Sequence, residues 1–177
     1  YGQARQYFQE VISRYPETDF ARKARVEMVE MLYLAGDYRQ VLRYVDEALN
    51  FITSGERLLR MHQVAGDAHL ALENGSGALD AFIKAYEIDG KKDRDRLSKD
   101  LRAAANMISI SKLHAVLDML NGRPPADEIL YLLGIRYLEE GEYREAKSIL
   151  EQFAKRYPRH PDADVARQLI DDIPVTD

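Results

Sequence analysis

The sequence contains no cysteine, and only six prolines and ten glycines among its 177 residues. Without cysteine the chain has neither disulfides nor thiolate metal ligands, although this absence does not indicate a cellular compartment. No stretch approaches the roughly 20 consecutive apolar residues of a transmembrane helix, so we expect that this segment does not span a bilayer. The formal net charge of −5 is mild and argues against nucleic-acid binding, which requires a concentrated basic face.

A triplet of apolar residues, spaced four and then three positions apart, recurs along the chain. This spacing places the three side chains on one face of a helix. The copies begin at positions 4, 41, 78, 113 and 146, so successive copies are 37, 37, 35 and 33 residues apart. Such a recurrence predicts an array of helical hairpins, and these arrays bind other proteins far more often than they catalyse reactions. The copies are Ala4, Phe8 and Val11; Val41, Val45 and Ala48; Ala78, Phe82 and Ala85; Leu113, Leu117 and Leu120; and Ala146, Leu150 and Phe153.

Helix start and stop signals predict about ten helices, and no segment alternates in the manner of a strand. Pro16 ends the first helix, Thr18 and Asp19 offer caps for the second, and residues 53–55 cap the fourth. The stretch 74–77 is predicted as a turn. The later predicted helices cover residues 20–32, 38–51, 58–72, 78–88, 93–105, 110–120, 127–140, 143–156 and 162–171, and the last of them covers the open end of the array.

The repeat spacing predicts one continuous array over residues 1–177. Its units are residues 1–17 (partial), 18–53, 54–90, 91–125 and 126–159, followed by a capping helix at 160–173. The fourth unit keeps only bulky leucines in its triplet, so we expect its geometry to be the least regular. Because the chain begins in the middle of a hairpin without an initiator Met, we expect it to be a fragment of a longer protein.

The last hairpin resembles a tetratricopeptide (TPR) repeat. The residues that carry the resemblance are Leu130, Leu133, Gly134, Tyr137, Gly141, Glu142, Tyr143, Ala146, Leu150, Phe153 and Pro158. Gly134 lets the two helices approach, and Ala146 lies at their crossing. The other copies match less closely, but the resemblance covers nearly the whole chain. It implies an all-α, right-handed superhelix of antiparallel hairpins that binds a helix or an extended segment of another protein and has no catalysis of its own.

In this family the first helix of each hairpin lines a concave groove, and the register assigns residues of this chain to it. Tyr33 and Tyr131 would be natural anchors, because tyrosine gives a large contact area at a low entropic cost. The alternative is that both tyrosines only pack between neighbouring repeats. The predicted groove residues are Val26, Glu30, Tyr33, Leu34, Gln63, Asp67, Leu70, Arg102, Tyr131, Ile135 and Leu138.

The phrase Arg-Tyr-Pro occurs at residues 14–16 and 156–158, and Ala-Arg follows it at 21–22 and 166–167. Long TPR-like units with this phrase are similar to those of bacterial envelope proteins, namely BamD-type outer-membrane assembly lipoproteins, Tol-Pal coordinators and lipoprotein activators of peptidoglycan synthases. This resemblance implies a periplasmic or outer-membrane-anchored protein of envelope assembly or peptidoglycan-synthase regulation. The phrase also occurs in cytoplasmic TPR proteins, so a cytoplasmic location stays open.

The sequence offers no recognisable catalytic or metal-binding arrangement. His62 and His69 lie seven residues apart on one helix, whereas a zinc site favours a spacing of four or a nearby third ligand. We therefore expect His69 to pack in a seam between helices, and we expect no metal, no cofactor and no enzyme. The leading hypothesis is an adaptor that binds a protein or peptide. The alternative is a structural spacer, or a self-associating module, that positions an adjoining ligand-binding domain.

Overall fold

The computed structural model describes residues 2–53, 55–89 and 92–174. These residues form ten α-helices and no strand, which confirms the predicted all-α class and the expected number of helices. None of the described helices combines the length and the apolar character needed to cross a membrane. The helices are α1 (Gly2–Arg14), α2 (Asp19–Leu34), α3 (Tyr38–Leu49), α4 (Gly55–Ala71), α5 (Gly75–Asp89), α6 (Arg94–Ala105), α7 (Ile110–Leu120), α8 (Ala126–Glu139), α9 (Tyr143–Arg156) and α10 (Ala163–Asp172).

The chain divides into two compact units, Tyr1–Leu97 and Ser98–Asp177, and the boundary falls within α6. In unit 1, α2 pairs with α3 and α4 pairs with α5, while α1 packs on α2 and α3 packs on α4. In unit 2, α8 pairs with α9, α7 packs on α8, and α10 packs on α9. These hairpins confirm a TPR-like helical-repeat architecture. The bounds of the individual repeats stay a prediction.

The apolar triplets of α3, α5 and α9 form the centre of their hairpins, as their spacing predicts, whereas in α1 Ala4 is exposed and Phe8 and Val11 are half-buried. In α3, α5 and α9 every member of the triplet is at most 1% exposed. In α7, Leu113 and Leu120 are buried while Leu117 is only half-buried, which agrees with the irregularity expected of this copy. Because buried apolar area is the main favourable term in folding, these faces hold each helix to its neighbours.

Capping residues and glycines place the helix ends. Thr18 Oγ1 accepts a hydrogen bond from the backbone N–H of Ala21 at 3.2 Å, so the predicted cap of α2 is confirmed. Gly36 and Gly141 close the turns after α2 and α8 with φ angles of +74° and +78°, a region that costs glycine nothing. The cap predicted at residues 53–55 falls partly on residue 54, outside the described residues.

The predicted start of α5 is wrong. The stretch 74–77 was expected to be a turn before a helix at residue 78, but α5 begins at Gly75. The Asn74 Oδ1 atom accepts a hydrogen bond from the backbone N–H of Gly77 at 3.0 Å, so the glycine-rich stretch is the capped first turn of the helix. The other predicted helix ends differ from the observed ones by at most three residues.

Candidate protein-binding surface

The first helices of the two hairpins in unit 1, α2 and α4, bring three of the predicted groove residues together. Tyr33 Oη on α2 donates a hydrogen bond to Asp67 Oδ2 on α4 at 2.7 Å. Arg60 on α4 donates two hydrogen bonds to Glu30 on α2, at 2.9 Å from Nε and 2.8 Å from Nη2. The Arg60 guanidinium carbon also lies 5.2 Å from the centre of the Tyr33 ring. We call these four residues the α2–α4 network.

The α2–α4 network fixes the position of Tyr33 at the surface. Its ring meets the Tyr38 ring edge-on at a centroid distance of 6.3 Å, and its apolar part packs on the core of unit 1. The two-pronged geometry of Arg60 on Glu30 orients both side chains, since a guanidinium matches a carboxylate bidentately. The surface therefore has polar groups held in place before any partner arrives, which lowers the entropic cost of binding.

The hydrogen bond to Asp67, together with burial, raises the pKa of Tyr33 from 10.0 to about 12. A phenol with a raised pKa stays neutral in the folded state while it ionises in the unfolded chain. Its contribution to stability is therefore present below pH 10 and is lost as the pH rises from 10 towards about 12.

We expect an absorbance titration of the phenolates to contain a late step near pH 12 that Tyr33→Phe removes. In Asp67→Asn the negative charge and the carboxylate acceptor are lost, so the step should move to lower pH. Tyr7→Phe is the matched control, because Tyr7 is 69% exposed and lies outside the network. A step near pH 12 of unchanged size in Tyr33→Phe would contradict the assignment, whereas Tyr131, whose pKa is also raised by burial, contributes alike to all these variants.

The remaining predicted groove residues of unit 1 differ in how accessible they are. Leu34, next to Tyr33 in α2, is 72% exposed and is the most accessible apolar side chain of the set. Val26 and Leu70 are half-buried, whereas Gln63 is only 5% exposed and is therefore part of the interior. An exposed leucine beside a fixed polar network is a suitable contact for an apolar side chain of a partner.

A cleft of about 620 Å³ opens where α2 and α4 begin. Val26, Phe51 and Ile52 provide its apolar lining. Its other walls carry charges of both signs, so the cleft favours no ligand charge. The charged residues are Asp19, Arg22, Lys23, Glu27, Glu56 and Arg57.

In unit 2 the predicted groove residues pack against their own unit. Tyr131 is 4% exposed, with its ring centroid 5.1 Å from that of Phe153. Ile135 and Leu138 pack partly buried against the same cluster. The exposed Arg102 lies over the Tyr131 ring at 5.9 Å. These contacts support the alternative of inter-helix packing for Tyr131, whose pKa is raised mainly by burial.

A buried polar pair in unit 2 was not anticipated from the sequence. His160 and Glu128 are 8% and 3% exposed, and His160 Nε2 lies 3.2 Å from Glu128 Oε1. The backbone N–H of Asp162 donates to His160 Nδ1 at 3.1 Å, so Nε2 carries the proton that Glu128 accepts. The pair ties the segment before α10 to the first turn of α8.

Glu128, His160 and Asp162 each place one potential metal ligand within 4.8 Å of the others. The two carboxylates face different nitrogens of the imidazole, with Asp162 Oδ2 3.6 Å from Nδ1 and Glu128 Oε1 3.2 Å from Nε2. An ion held by one ring nitrogen would displace a hydrogen bond that positions the ring. This arrangement is better suited to joining helices than to holding a cation.

Two arginines were also missed by reasoning from the sequence. Arg60 completes the α2–α4 network, and Arg136 on α8 donates from Nη1 to the carbonyl oxygen of Asn106, at 3.1 Å, at the end of α6. Cations at a helix C-terminus satisfy carbonyls that have no partner within the helix. The sequence shows which residues share one face of a helix, such as Glu30 and Leu34. It does not show which residue of another helix an arginine side chain contacts.

The fold and this surface define an all-α helical-repeat protein with polar and apolar contacts presented on its first helices. The tetratricopeptide repeat family model matches residues 1–18 and 128–160, which include α1 and all but the first two residues of the α8–α9 hairpin. This match supports the TPR resemblance for those segments. Comparison with curated proteins gives no match. TPR repeats generally mediate protein–protein interaction, and their fold is typically a non-catalytic module.

Proposed function

We propose that this chain is an adaptor domain whose first-helix face in unit 1 binds a helix or an extended segment of another protein. The first-helix face consists of the α2–α4 network together with Val26, Leu34 and Leu70. The observation that carries the proposal is the exposed Leu34 beside the hydrogen-bonded Tyr33. A partner that inserts an apolar side chain at Leu34 gains buried area, and the fixed polar groups around it supply orientation.

The α2–α4 network also favours a partner with apolar or aromatic side chains at the edges of the network. Tyr33, Asp67, Arg60 and Glu30 already satisfy one another, so a partner gains little by adding a charge at the centre of the face. Affinity then comes from apolar and aromatic anchors around the network.

We further propose that the protein acts in the bacterial cell envelope, in outer-membrane assembly or in regulation of peptidoglycan synthases. The support for this location is the Arg-Tyr-Pro phrase at residues 14–16 and 156–158. The complete reading frame tests it directly. A lipoprotein signal with its lipid-anchoring cysteine upstream of residue 1 supports the envelope location, and a soluble start without any export signal contradicts it.

The adaptor function is tested by affinity capture from cell extract with the wild type and Leu34→Glu. Leu34 is largely solvated, so the variant should fold normally while placing a charge in the contact. We expect the captured partner to fall by about tenfold or more, as for loss of an interface anchor. Circular dichroism establishes that the proteins have equal helicity.

Met119→Glu is the matched control, because Met119 is a 58% exposed apolar residue on α7, in unit 2 and outside the first-helix face. It introduces the same charge and should leave the captured partner unchanged. If the Leu34→Glu protein still captured the partner and the Met119→Glu protein did not, the binding site would lie outside the first-helix face. Absence of any partner specific to the wild type would favour the spacer function.

A further inference from the structure

One asparagine side chain joins the end of α4 to the start of α5. Asn74 Oδ1 accepts a hydrogen bond from the backbone N–H of Gly77 at 3.0 Å, and Asn74 Nδ2 lies 3.1 Å from His69 Nδ1. The backbone N–H of Asn74 also donates to the carbonyl oxygen of His69 at 2.8 Å. Asn74 therefore caps α5 and at the same time bonds to a histidine in the last turn of α4.

These hydrogen bonds determine the protonation state of His69. The backbone N–H of Gly77 can only donate, so the Asn74 amide presents its oxygen to Gly77 and its NH2 group to His69. An NH2 group also only donates, so His69 Nδ1 is the acceptor. The imidazole of His69 is therefore neutral and carries its proton on Nε2.

The surroundings of His69 favour this neutral form. Burial lowers the pKa of His69, and the carboxylates of Asp46 on α3 and Asp80 on α5, the two helices that pack on α4, offset this only in part. Asp80 is itself paired with Lys84 at 2.8 Å. The His69 ring also lies against Gly77 in the first turn of α5, where the helix N-terminus disfavours a cation. The resulting contribution to stability is present above pH 6.5 and is lost as the pH falls through the lowered pKa.

A proton on His69 Nδ1 is incompatible with the present orientation of the Asn74 amide. It would place two donors, the Nδ1–H group of His69 and the NH2 group of Asn74, against each other. Turning the amide over gives the imidazolium an oxygen acceptor, but it then points the NH2 group at the backbone N–H of Gly77. One amide thus serves either the protonated histidine or the cap of α5.

We propose that His69, Asn74 and the backbone N–H of Gly77 form a pH-sensitive switch, in which protonation of His69 removes the N-terminal cap of α5. The imidazolium attracts the amide oxygen, because a charge-assisted hydrogen bond is stronger than the neutral bond to Gly77. The first turn of α5 then loosens in mild acid, while the fully buried Ala78 and Phe82 hold the rest of the helix in place. None of the three switch residues belongs to the first-helix face, so the switch does not depend on the proposed function.

An NMR titration of the intact chain from about pH 8 to about pH 5 tests the switch. The ring signals of His69 report its protonation, and the amide proton of Gly77 reports the capping hydrogen bond. We expect the Gly77 signal to change with the midpoint of His69. Its protection from solvent exchange, corrected for the intrinsic rate, should fall about fivefold, as for loss of a cap. His62→Gln is the matched control, because it removes the other half-buried histidine of α4 and should leave the Gly77 response unchanged.

Two substitutions of Asn74 distinguish the switch from a cap alone. Asn74→Ser keeps a capping oxygen but has no amide to bond to His69, so the Gly77 signal should no longer follow the histidine. Asn74→Asp has two accepting oxygens and can cap Gly77 and bind the imidazolium together. Its charge should move the titration of His69 to higher pH, and Gly77 should stay protected throughout.

Three results would overturn the proposal. If the Gly77 signal stayed constant while the ring of His69 titrated, the ring and not the amide would turn. If the Gly77 response persisted in Asn74→Asp or disappeared in His62→Gln, another group would control the cap. If the ring nitrogen shifts of His69 placed its proton on Nδ1 at neutral pH, the amide could not hold both hydrogen bonds in the first place.

Discussion

Replacing Phe153 with alanine is expected to lower the free energy of unfolding by about 3–5 kcal/mol. Phe153 is 0% exposed, and its ring is the centre of an aromatic cluster in unit 2. The ring centroids of His160, Tyr131 and Tyr157 lie 4.9, 5.1 and 6.0 Å from it. Alanine removes the ring that all three contact, and the surrounding helices can fill the cavity only in part.

Urea unfolding followed by circular dichroism measures this loss. Tyr143→Ala is the control on the same helix, because Tyr143 is 37% exposed and its removal leaves no enclosed cavity. Phe153→Leu should be milder than Phe153→Ala, since it keeps much of the apolar volume. A Phe153→Ala protein as stable as the Tyr143→Ala protein would show that the cluster contributes little to unit 2.

The helices of this chain were predictable because their determinants are local. The apolar triplet depends only on the period of a helix, and caps such as Thr18 act within one turn. The start of α5 was misjudged because the stretch 74–77 contains two glycines, which favour turns, and the capping hydrogen bond of Asn74 outweighs that preference. Local patterns thus predict which segments are helical more accurately than they predict where each helix begins and ends.

The candidate surface was only partly predictable, because it depends on distances between helices. Glu30 and Tyr33 were found from their register on one face of α2, and the structure places Asp67 of α4 beside Tyr33. Arg60 was missed because its guanidinium reaches Glu30 only when α2 and α4 pack closely. The register of residues within one helix does not predict the distance between α2 and α4.

Tyr131 illustrates a different limit of the sequence. Its position on α8 matches that of a groove residue, but the side chain is covered by Phe153 and His160 from later in the chain. A helix with neighbours on several sides has more than one buried face, and periodicity does not tell which face a partner helix covers. The buried Glu128 was missed because a glutamate in the first turn of a helix is usually solvated.

Gly66→Ala is expected to destabilise the chain by about 2 kcal/mol or more, although alanine is the better helix former by about 1 kcal/mol. The new Cβ atom would lie 2.2, 2.5 and 2.6 Å from three atoms of the Phe82 ring. Phe82 is 0% exposed, so its ring cannot move aside into solvent and must displace close-packed neighbours. Either α4 moves away from α5 or the ring leaves its preferred rotamer. Each change costs more free energy than the better helix propensity of alanine contributes. Urea unfolding measures the change.

Gly77→Ala is the matched control, because Gly77 also lies in a helix with a crowded Cβ position. Its neighbours are the ring of the half-buried His69, at 2.7 Å, and the amide of the exposed Asn74, at 2.8 Å. Both are ends of side chains that can move, and although moving Asn74 gives up its capping hydrogen bond, the better helix propensity of alanine offsets that loss. We expect Gly77→Ala to stay within about 1 kcal/mol of the wild type. In the double variant Gly66→Ala, Phe82→Ala the cost of the glycine change should largely disappear, since its cause is the ring. If that cost persisted without the ring, the close approach of Gly66 to Phe82 would not be its cause.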